Sequence, residues 1–319
     1  MPHKPTPWSK YVFLLTVLLI IRHIILTFAP WIIFSGYMFM FVIGFVVSYI
    51  INNSYYTALF IALLMVYGRM LYRYAMTTTS PKELNDYTGA KNTTVFMLGI
   101  ITVIGLAHAL QQNQKYIPLL RYPIYFMVVY MFFSFVEWIL HRYVMHCYMY
   151  FPWLDKVDPA TTFMPFVTYN MQRSCQLHHD HHKSVNADMS LKDVEHRDSH
   201  ELTFDWATMI MIIILVAPAL FALVWALQLK IGWKVQLVTI FISALVFCLA
   251  WNSIHPTMHG AKVRVSIQEG APNLGWDLHK TNIYYQNHDV HHQIKGDEKG
   301  NYNVIFLGAD ELLMTNRLA

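Results

Sequence analysis

The feature that most constrains this fold is a series of long apolar stretches along the chain. The first 140 residues contain five of them, roughly Tyr11 to Phe34, Tyr37 to Ile51, Tyr55 to Tyr72, Thr94 to Leu110 and Ile117 to Leu140. A helix needs about 20 residues to cross a bilayer core of about 30 Å. We therefore predict four or five spans here, without a fixed number before Arg69. Arg22 and His23 interrupt the first stretch, which favours a retained helix over a cleaved signal peptide.

Composition supports a membrane protein. Of 319 residues, 55% are hydrophobic and 13% charged, which is too little polar surface to cover a soluble globule of this size. We predict an all-α fold, a polytopic transmembrane helical bundle with a cap outside the membrane. The net charge of +4 is small and the basic residues are scattered, so nucleic acid is excluded as a partner. Three cysteines, Cys147, Cys175 and Cys248, are too few for a disulfide framework and favour a reducing environment.

Two further apolar stretches, Phe204 to Leu227 and Val235 to Ile254, follow a polar segment that ends near Leu202. Each stretch is long enough to span, so the pair is predicted to form a hairpin that starts and ends on one membrane face. Only Lys230 and Lys234 lie at its tip, against twelve basic residues on the other side. These are Arg142, Lys156, Arg173, Lys183, Lys192, Arg197, Lys262, Arg264, Lys280, Lys295, Lys299 and Arg317. The positive-inside bias predicts a cytoplasmic cap.

Histidine is abnormally frequent, with 17 in a chain poor in ionisable groups, and ten of them form four clusters. The first cluster is H-x4-H, the third is H-x3-H, and the second and fourth are both H-x2-HH. In chain order their members are His141 and His146; His178, His181 and His182; His255 and His259; and His288, His291 and His292. The first and third clusters lie where apolar stretches end.

The spacing of these histidines predicts metal binding. On a helix of about 3.6 residues per turn, positions i, i+3 and i+4 share one face, so each H-x2-HH cluster can present three imidazoles together. In H-x4-H the side chains diverge by about 140°, which suits ligands directed at two different metals. Imidazole binds iron, copper and zinc, and ten imidazoles exceed the needs of one six-coordinate ion. Two metals are therefore predicted, in a histidine-rich di-metal cap on the helical bundle.

Other uses of histidine fit less well. A metal transporter would place its histidines within the spans near the midplane, and a haem protein needs only one or two axial histidines per haem. Neither explains four clusters at span ends and in polar segments. The isolated histidines are expected to be ordinary amphipathic side chains near the membrane interface. Among them are His3, His23, His108, His196 and His200.

At the four clusters the sequence resembles the fatty acid hydroxylase superfamily, which includes fatty acid 2-hydroxylases, sphingoid-base hydroxylases, sterol desaturases and sterol methyl oxidases. The resemblance covers about Pro118 to Thr315 and rests on EWILHRYVMH, HHDHHK, HPTMHG and NHDVHHQIKG in that order. The second and third motifs look most like the 2-hydroxylases and the last like the sphingoid-base enzymes. Asn301, Asp310 and Thr315 match a further family pattern. The resemblance implies N-terminal transmembrane helices over 1–116 and a catalytic domain over 117–319.

The resemblance implies an enzyme that holds two iron ions, with zinc as an alternative occupant after purification, and uses O2 as co-substrate on a lipid entering between the helices. It implies no catalytic side chain beyond the metal ligands. It also implies how the ligands divide between the metals. One metal takes His146, His178, His181, His288 and His291; the other takes His141, His182, His255, His259 and His292. Glu137, Asp180 and Asp289 lie beside ligands and could accept imidazole N–H groups, or be solvated surface acids.

Some features depart from the family. About thirty residues, Cys147 to Leu177, separate the first two clusters, where the family usually has fewer. No cytochrome b5 domain is fused to the catalytic region, so a separate electron donor such as cytochrome b5 with its reductase is expected. Location in the endoplasmic reticulum rests on the resemblance alone. Hydroxylation of a fatty acyl or sphingolipid chain is the first hypothesis; sterol desaturation or methyl oxidation and a non-catalytic metal-binding or lipid-sensing role are the alternatives.

Overall fold

The computed structural model describes residues 35–77, 90–192, 203–259, 283–294, 299–313 and 315–317. The predicted first helix from Tyr11 to Phe34 and the isolated histidines His3, His23, His196 and His200 lie outside the described residues. The chain divides into two units. One contains Met1–Met76 and Lys82–Ile124, and the other contains Thr77–Pro81 and Tyr125–Ala319.

The first unit is built on three apolar helices, α1 (Ser35–Asn52), α2 (Tyr55–Thr77) and α3 (Ala90–Gln112), which match three of the predicted stretches. Their shared core includes Val47 of α1, Ile61 of α2 and Ala107 of α3, all fully buried. The Asn52 amide donates to the Ala107 carbonyl at 3.1 Å, which satisfies a polar side chain within this apolar core.

The second unit carries the histidine clusters. The chain enters this unit within α4 (Arg121–Ile139), which follows a 3-10 helix over Gln114–Leu120 and continues as a π-helical segment, Leu140–Met145. The remaining helices are α5 (Cys147–Tyr150), α6 (Pro165–Ser184), α7 (Trp206–Ala226), α8 (Trp233–Met258), α9 (Ile283–Gln293) and α10 (Ala309–Leu312). The all-α prediction is confirmed for the described residues.

Within the part of the chain that the structure describes, three helical segments are long and apolar enough to cross a membrane, namely Gln114–Met145, Trp206–Ala226 and Trp233–Met258. The helices Met40–Asn52 and Tyr55–Leu71 are apolar but shorter. Helices α7 and α8 pack together as the predicted hairpin. Their connection turns through Gln228 and Lys230, both with a φ of 52° in the left-handed region. These segments indicate association with a membrane.

Cys147 of α5 and Cys175 of α6 form a disulfide, with their Cα atoms 5.6 Å apart. Both are buried and pack with Leu154. From three cysteines we predict no disulfide framework and a reducing environment, so this pair is not anticipated by the sequence, while Cys248 is a free buried thiol. The disulfide joins the residue after His146 to the helix that carries the second cluster, and so closes the long segment between the first two clusters.

Candidate metal centre

Each cluster is positioned by a different helix end of the second unit. The first lies on the π-helical segment, the second in the last turns of α6, the third at the end of α8 and the fourth on α9. Seven of the ten histidines are buried, with at most 2% of their surface exposed. These are His141, His178, His181, His255, His259, His288 and His291. The structure therefore brings the predicted histidines together in one water-poor region.

Eight of the ten histidines form two groups of four that could each hold a metal ion. The first group is His141, His146, His178 and His291; the second is His181, His259, His288 and His292. Within each group the ring nitrogens all lie within 4.8 Å of one another. Every cluster contributes to a group, and the H-x2-HH clusters contribute to both. Two adjacent sites of this kind agree with the predicted pair of metals.

The first cluster does not divide between the two groups as predicted. His141 and His146 stack with ring centroids 5.4 Å apart and belong to the same group. The reason is the π-helical segment, in which the His146 N–H donates to the His141 carbonyl five residues earlier, at 3.2 Å. This wider turn brings residues i and i+5 close to one face, whereas the prediction assumed α-helical spacing.

The division implied by the family resemblance also differs from the geometry. His181 and His288 were assigned with His146, but they lie in the second group, and His141 lies in the first. His182 and His255 belong to neither group of four. The His182 Nε2 atom is 3.0 Å from the His178 Nε2 atom, and its ring stacks on His292 at 4.1 Å. His255 lies with its ring 4.7 Å from that of His288.

Three backbone carbonyls fix how these imidazoles present their nitrogens. The Nδ1–H groups of His141, His291 and His259 donate to the carbonyls of Tyr302 at 2.6 Å, Gly300 at 2.7 Å and Met189 at 2.9 Å. Each bond leaves the Nε2 lone pair free, as metal-ligating histidines require.

The Nε2 atoms also meet in a way that suits a cation. The His141 Nε2 atom is buried and has no hydrogen-bond partner among the described residues. In the second group, the His259 and His288 Nε2 atoms lie 3.1 Å apart. Converging lone pairs repel one another unless a proton or a metal ion lies between them. The donor set therefore fits a metal that prefers nitrogen ligands.

Electrostatics keep the cluster histidines neutral. Burial lowers the pKa of His259 to about 4 and holds the pKa of His178, His288 and His292 well below the usual range, and the neighbouring imidazoles lower the pKa of these three further. A metal needs the neutral imidazole, so at neutral pH these side chains are already in the ligand form.

Residues 299–313 and 315–317, called the strap, deliver two of the three carbonyls. The strap is held against α4 by the buried Glu137 carboxylate, which accepts the backbone N–H groups of Val304 at 2.9 Å, Ile305 at 2.8 Å and Phe306 at 2.7 Å. Bonds to a charged acceptor are stronger than neutral ones. Glu137 thus positions the segment that orients His141 and His291.

Hydrogen bonds of Asp310 and Thr315 also stabilise the strap internally. The Asp310 carboxylate accepts the Asn303 N–H at 2.6 Å and the Thr315 hydroxyl at 2.6 Å. Thr315 in turn accepts the indole N–H of Trp138 on α4 at 2.8 Å. A side chain at Gly300 would collide with the Thr315 carbonyl, so this position requires glycine.

None of the three candidate acids bonds to an imidazole among the described residues. Glu137 serves the strap instead. Asp180 lies 3.7 Å from the Lys183 ammonium at the surface, and Asp289 accepts the Gln293 amide at 2.8 Å. The imidazole N–H groups are received by backbone carbonyls, which sequence reasoning missed because every residue carries one.

A cavity of about 290 Å³ opens beside the first group. It is lined by Met145, His146, Tyr148, Met149, His179, His182 and Lys299. The Lys299 ammonium lies 3.4 Å from both ring nitrogens of His182, and burial lowers its pKa to about 7. The cavity gives a small molecule access to His146 and His182.

Comparison of the chain with protein-family models, with curated proteins and with solved structures finds no match. What the chain does must therefore be argued from its own residues.

Proposed function

We propose that this protein is a membrane-bound di-iron oxygenase that hydroxylates a lipid. The observation that carries the proposal is the pair of four-histidine groups, placed side by side at the ends of apolar helices. A structural zinc site would need only four ligands, and a haem needs one or two. Two adjacent all-imidazole sites suit redox metals that act together.

The chain's own residues provide the conditions such a centre requires. The carbonyls of Tyr302, Gly300 and Met189 hold imidazole tautomers that point Nε2 inward. Burial excludes water from most of the histidines. When bound, two irons would supply the oxidising power for attack on an unactivated C–H bond, using O2 and two external electrons.

The surroundings of the site support a lipid as the substrate. The first and third clusters end the apolar segments Gln114–Met145 and Trp233–Met258, so a substrate approaching between these helices must itself be apolar. We propose a fatty acyl or sphingolipid chain. Sterol desaturation or methyl oxidation uses the same kind of centre and is the alternative. A separate donor such as cytochrome b5 and its reductase would supply the electrons.

Two observations favour opposite membrane faces for the histidine groups. Twelve basic residues against two favour the cytoplasm by the positive-inside bias. The Cys147–Cys175 disulfide favours an oxidising compartment, because disulfides are rare in the cytosol. We propose the cytoplasmic face of the endoplasmic reticulum, because the distribution of basic residues sets the orientation of the spans when they insert.

Expression in a host that lacks its own lipid hydroxylases, followed by mass spectrometry of total lipids, tests the proposal. We expect a product one oxygen heavier than a host acyl chain, absent with the His292→Ala variant. A product two hydrogens lighter than a host sterol would favour the desaturase alternative. Unchanged lipids, from protein that holds two metals and receives electrons, would contradict an enzymatic role.

A further inference from the structure

The segment between the first two histidine clusters exposes an unusual run of large apolar side chains. Phe163 is 99% exposed, Tyr169 57% and Phe166 44%, and Met164 is also exposed. These four residues are called here the aromatic edge. Single exposed apolar residues are ordinary, but a contiguous group marks a contact surface.

The outer face of α6 changes its character along the helix. Its inner face is buried throughout, through Val167, Asn170, Cys175, His178 and His181. On the outer face, Phe166 and Tyr169 are exposed before Arg173, whereas Gln176 and Lys183 are exposed after it. One end of this surface helix therefore suits an apolar environment and the other suits water.

Arg173, where the change occurs, is tied to the start of a membrane span. Its guanidinium lies 2.6 Å from the carboxylate of Asp205. Asp205 is the N-cap of α7 and accepts the Thr208 N–H at 2.8 Å. Charged residues that flank a span lie at the level of the lipid headgroups, and an arginine there keeps its charge in the polar layer.

The outward surface of α7 continues this boundary. Trp206, Ile210 and Ile214 are spaced four residues apart and all are more than 40% exposed, as expected of a lipid-facing stripe. The other end of α6 carries His178 and His181 into the metal centre. Along α6, the end before Arg173 therefore lies on the other side of the Arg173–Asp205 pair from these histidines.

We propose that the aromatic edge is a membrane contact in which Phe163, Met164, Phe166 and Tyr169 enter the headgroup region of the bilayer beside α7. Aromatic side chains favour this layer, and the preceding segment supplies exposed polar groups such as Lys156 that suit its aqueous side. The contact would hold α6, and with it the second histidine cluster, at a fixed depth. This inference depends on insertion of α7 and not on the chemistry proposed for the metal centre.

Quenching measurements on the full chain in lipid vesicles test this contact. An environment-sensitive fluorophore is attached to Phe163→Cys, just before α6, or to Tyr169→Cys near its start, with Lys183→Cys at the other end of α6 as the matched control. Phe163 is almost fully exposed and Lys183 has 65% of its side chain exposed, so these two changes leave the packing intact. The native cysteines are bonded or buried, and unsubstituted protein gives the labelling background.

At positions 163 and 169 we expect blue-shifted emission and loss of intensity with lipids brominated near the headgroup, and protection from aqueous iodide. Position 183 should be quenched by iodide and not by brominated lipid. Iodide quenching at 163 as strong as at 183 would overturn the proposal, because the edge would then face water. Protection from both quenchers would also overturn it, since protein would then cover the edge.

Discussion

Glu137 offers the sharpest test of how the strap supports the metal centre. The Glu137→Gln variant keeps the size of the side chain but replaces one oxygen with an amide NH2 group. One oxygen of Glu137 serves Val304 and Ile305, and the other serves Phe306 at 2.7 Å. Whichever way the amide turns, at least one backbone N–H faces another donor.

The expected loss follows from these bonds. A hydrogen bond to a charged group contributes ~1.5–3 kcal/mol, and a buried donor left without an acceptor costs ~1–3 kcal/mol. At least one hydrogen bond is lost and the others are weakened, so we expect the free energy of unfolding to fall by ~2–4 kcal/mol. Because the strap supplies the carbonyls for His141 and His291, metal affinity should fall ~10–100-fold, as when partners of metal ligands are removed.

Metal content after timed exposure to a chelator, with thermal unfolding monitored on the same sample, measures both effects. Asp289→Asn is the matched control, since Asp289 lies beside His288 and its bonding partner among the described residues is Gln293. We expect the control to behave as the unsubstituted protein. If Glu137→Gln retained its metal and unfolded at the original temperature, the strap would not position the histidines.

The remaining predictions concern the histidines, their titration and the orientation of the hairpin. His292→Ala should abolish product formation while membrane insertion, measured by carbonate extraction, is unchanged. The control His108→Ala should stay active. Equal activity of the two variants would contradict the assignment of His292 to the metal centre. Bound metal should be lost as pH falls from about 6.5 towards 4. Burial lowers the pKa of His259 to about 4, so as the pH falls this histidine is protonated in the unfolded chain before it is protonated in the folded one. The free energy of unfolding therefore has its full value above pH 6.5 and declines below it. Metal analysis across this range should show release, and full retention at pH 4 would refute the reasoning. Cysteines introduced at Lys183 and Lys230 should react with impermeant maleimide from opposite sides of sealed vesicles, and labelling from one side would exclude a hairpin that crosses the membrane.

Much of this arrangement could be predicted from the sequence because it depends on local spacing. H-x2-HH places three imidazoles on one helical face wherever the helix lies, and a long apolar stretch followed by histidines places them at its end. The clusters were expected on one membrane face because two spans in succession return the chain to the face from which it started. These are properties of the pattern and need no knowledge of tertiary contacts.

The parts that could not be predicted depend on contacts between distant residues or on the backbone. The shift to i+5 hydrogen bonding at His141 leaves no mark in residue types. Gly300 and Tyr302 act through carbonyls that every residue has. The acidic residue Glu137 suggested an imidazole partner because His141 is one turn away, yet its partners lie more than 160 residues later in the chain. The Cys147–Cys175 pair was missed because three cysteines suggest no framework.

The separation between Glu137 and the strap has a consequence for biosynthesis. Phe306 is synthesised 169 residues after Glu137, which at ~5–20 residues per second is a delay on the order of ten to thirty seconds. During that interval the first two histidine clusters exist without the carbonyls of Gly300 and Tyr302, and the Glu137 carboxylate has none of its final donors. A metal ion captured then would meet an incomplete set of imidazoles that lacks the carbonyls of the strap. We therefore expect stable metal loading to follow docking of the strap onto Glu137.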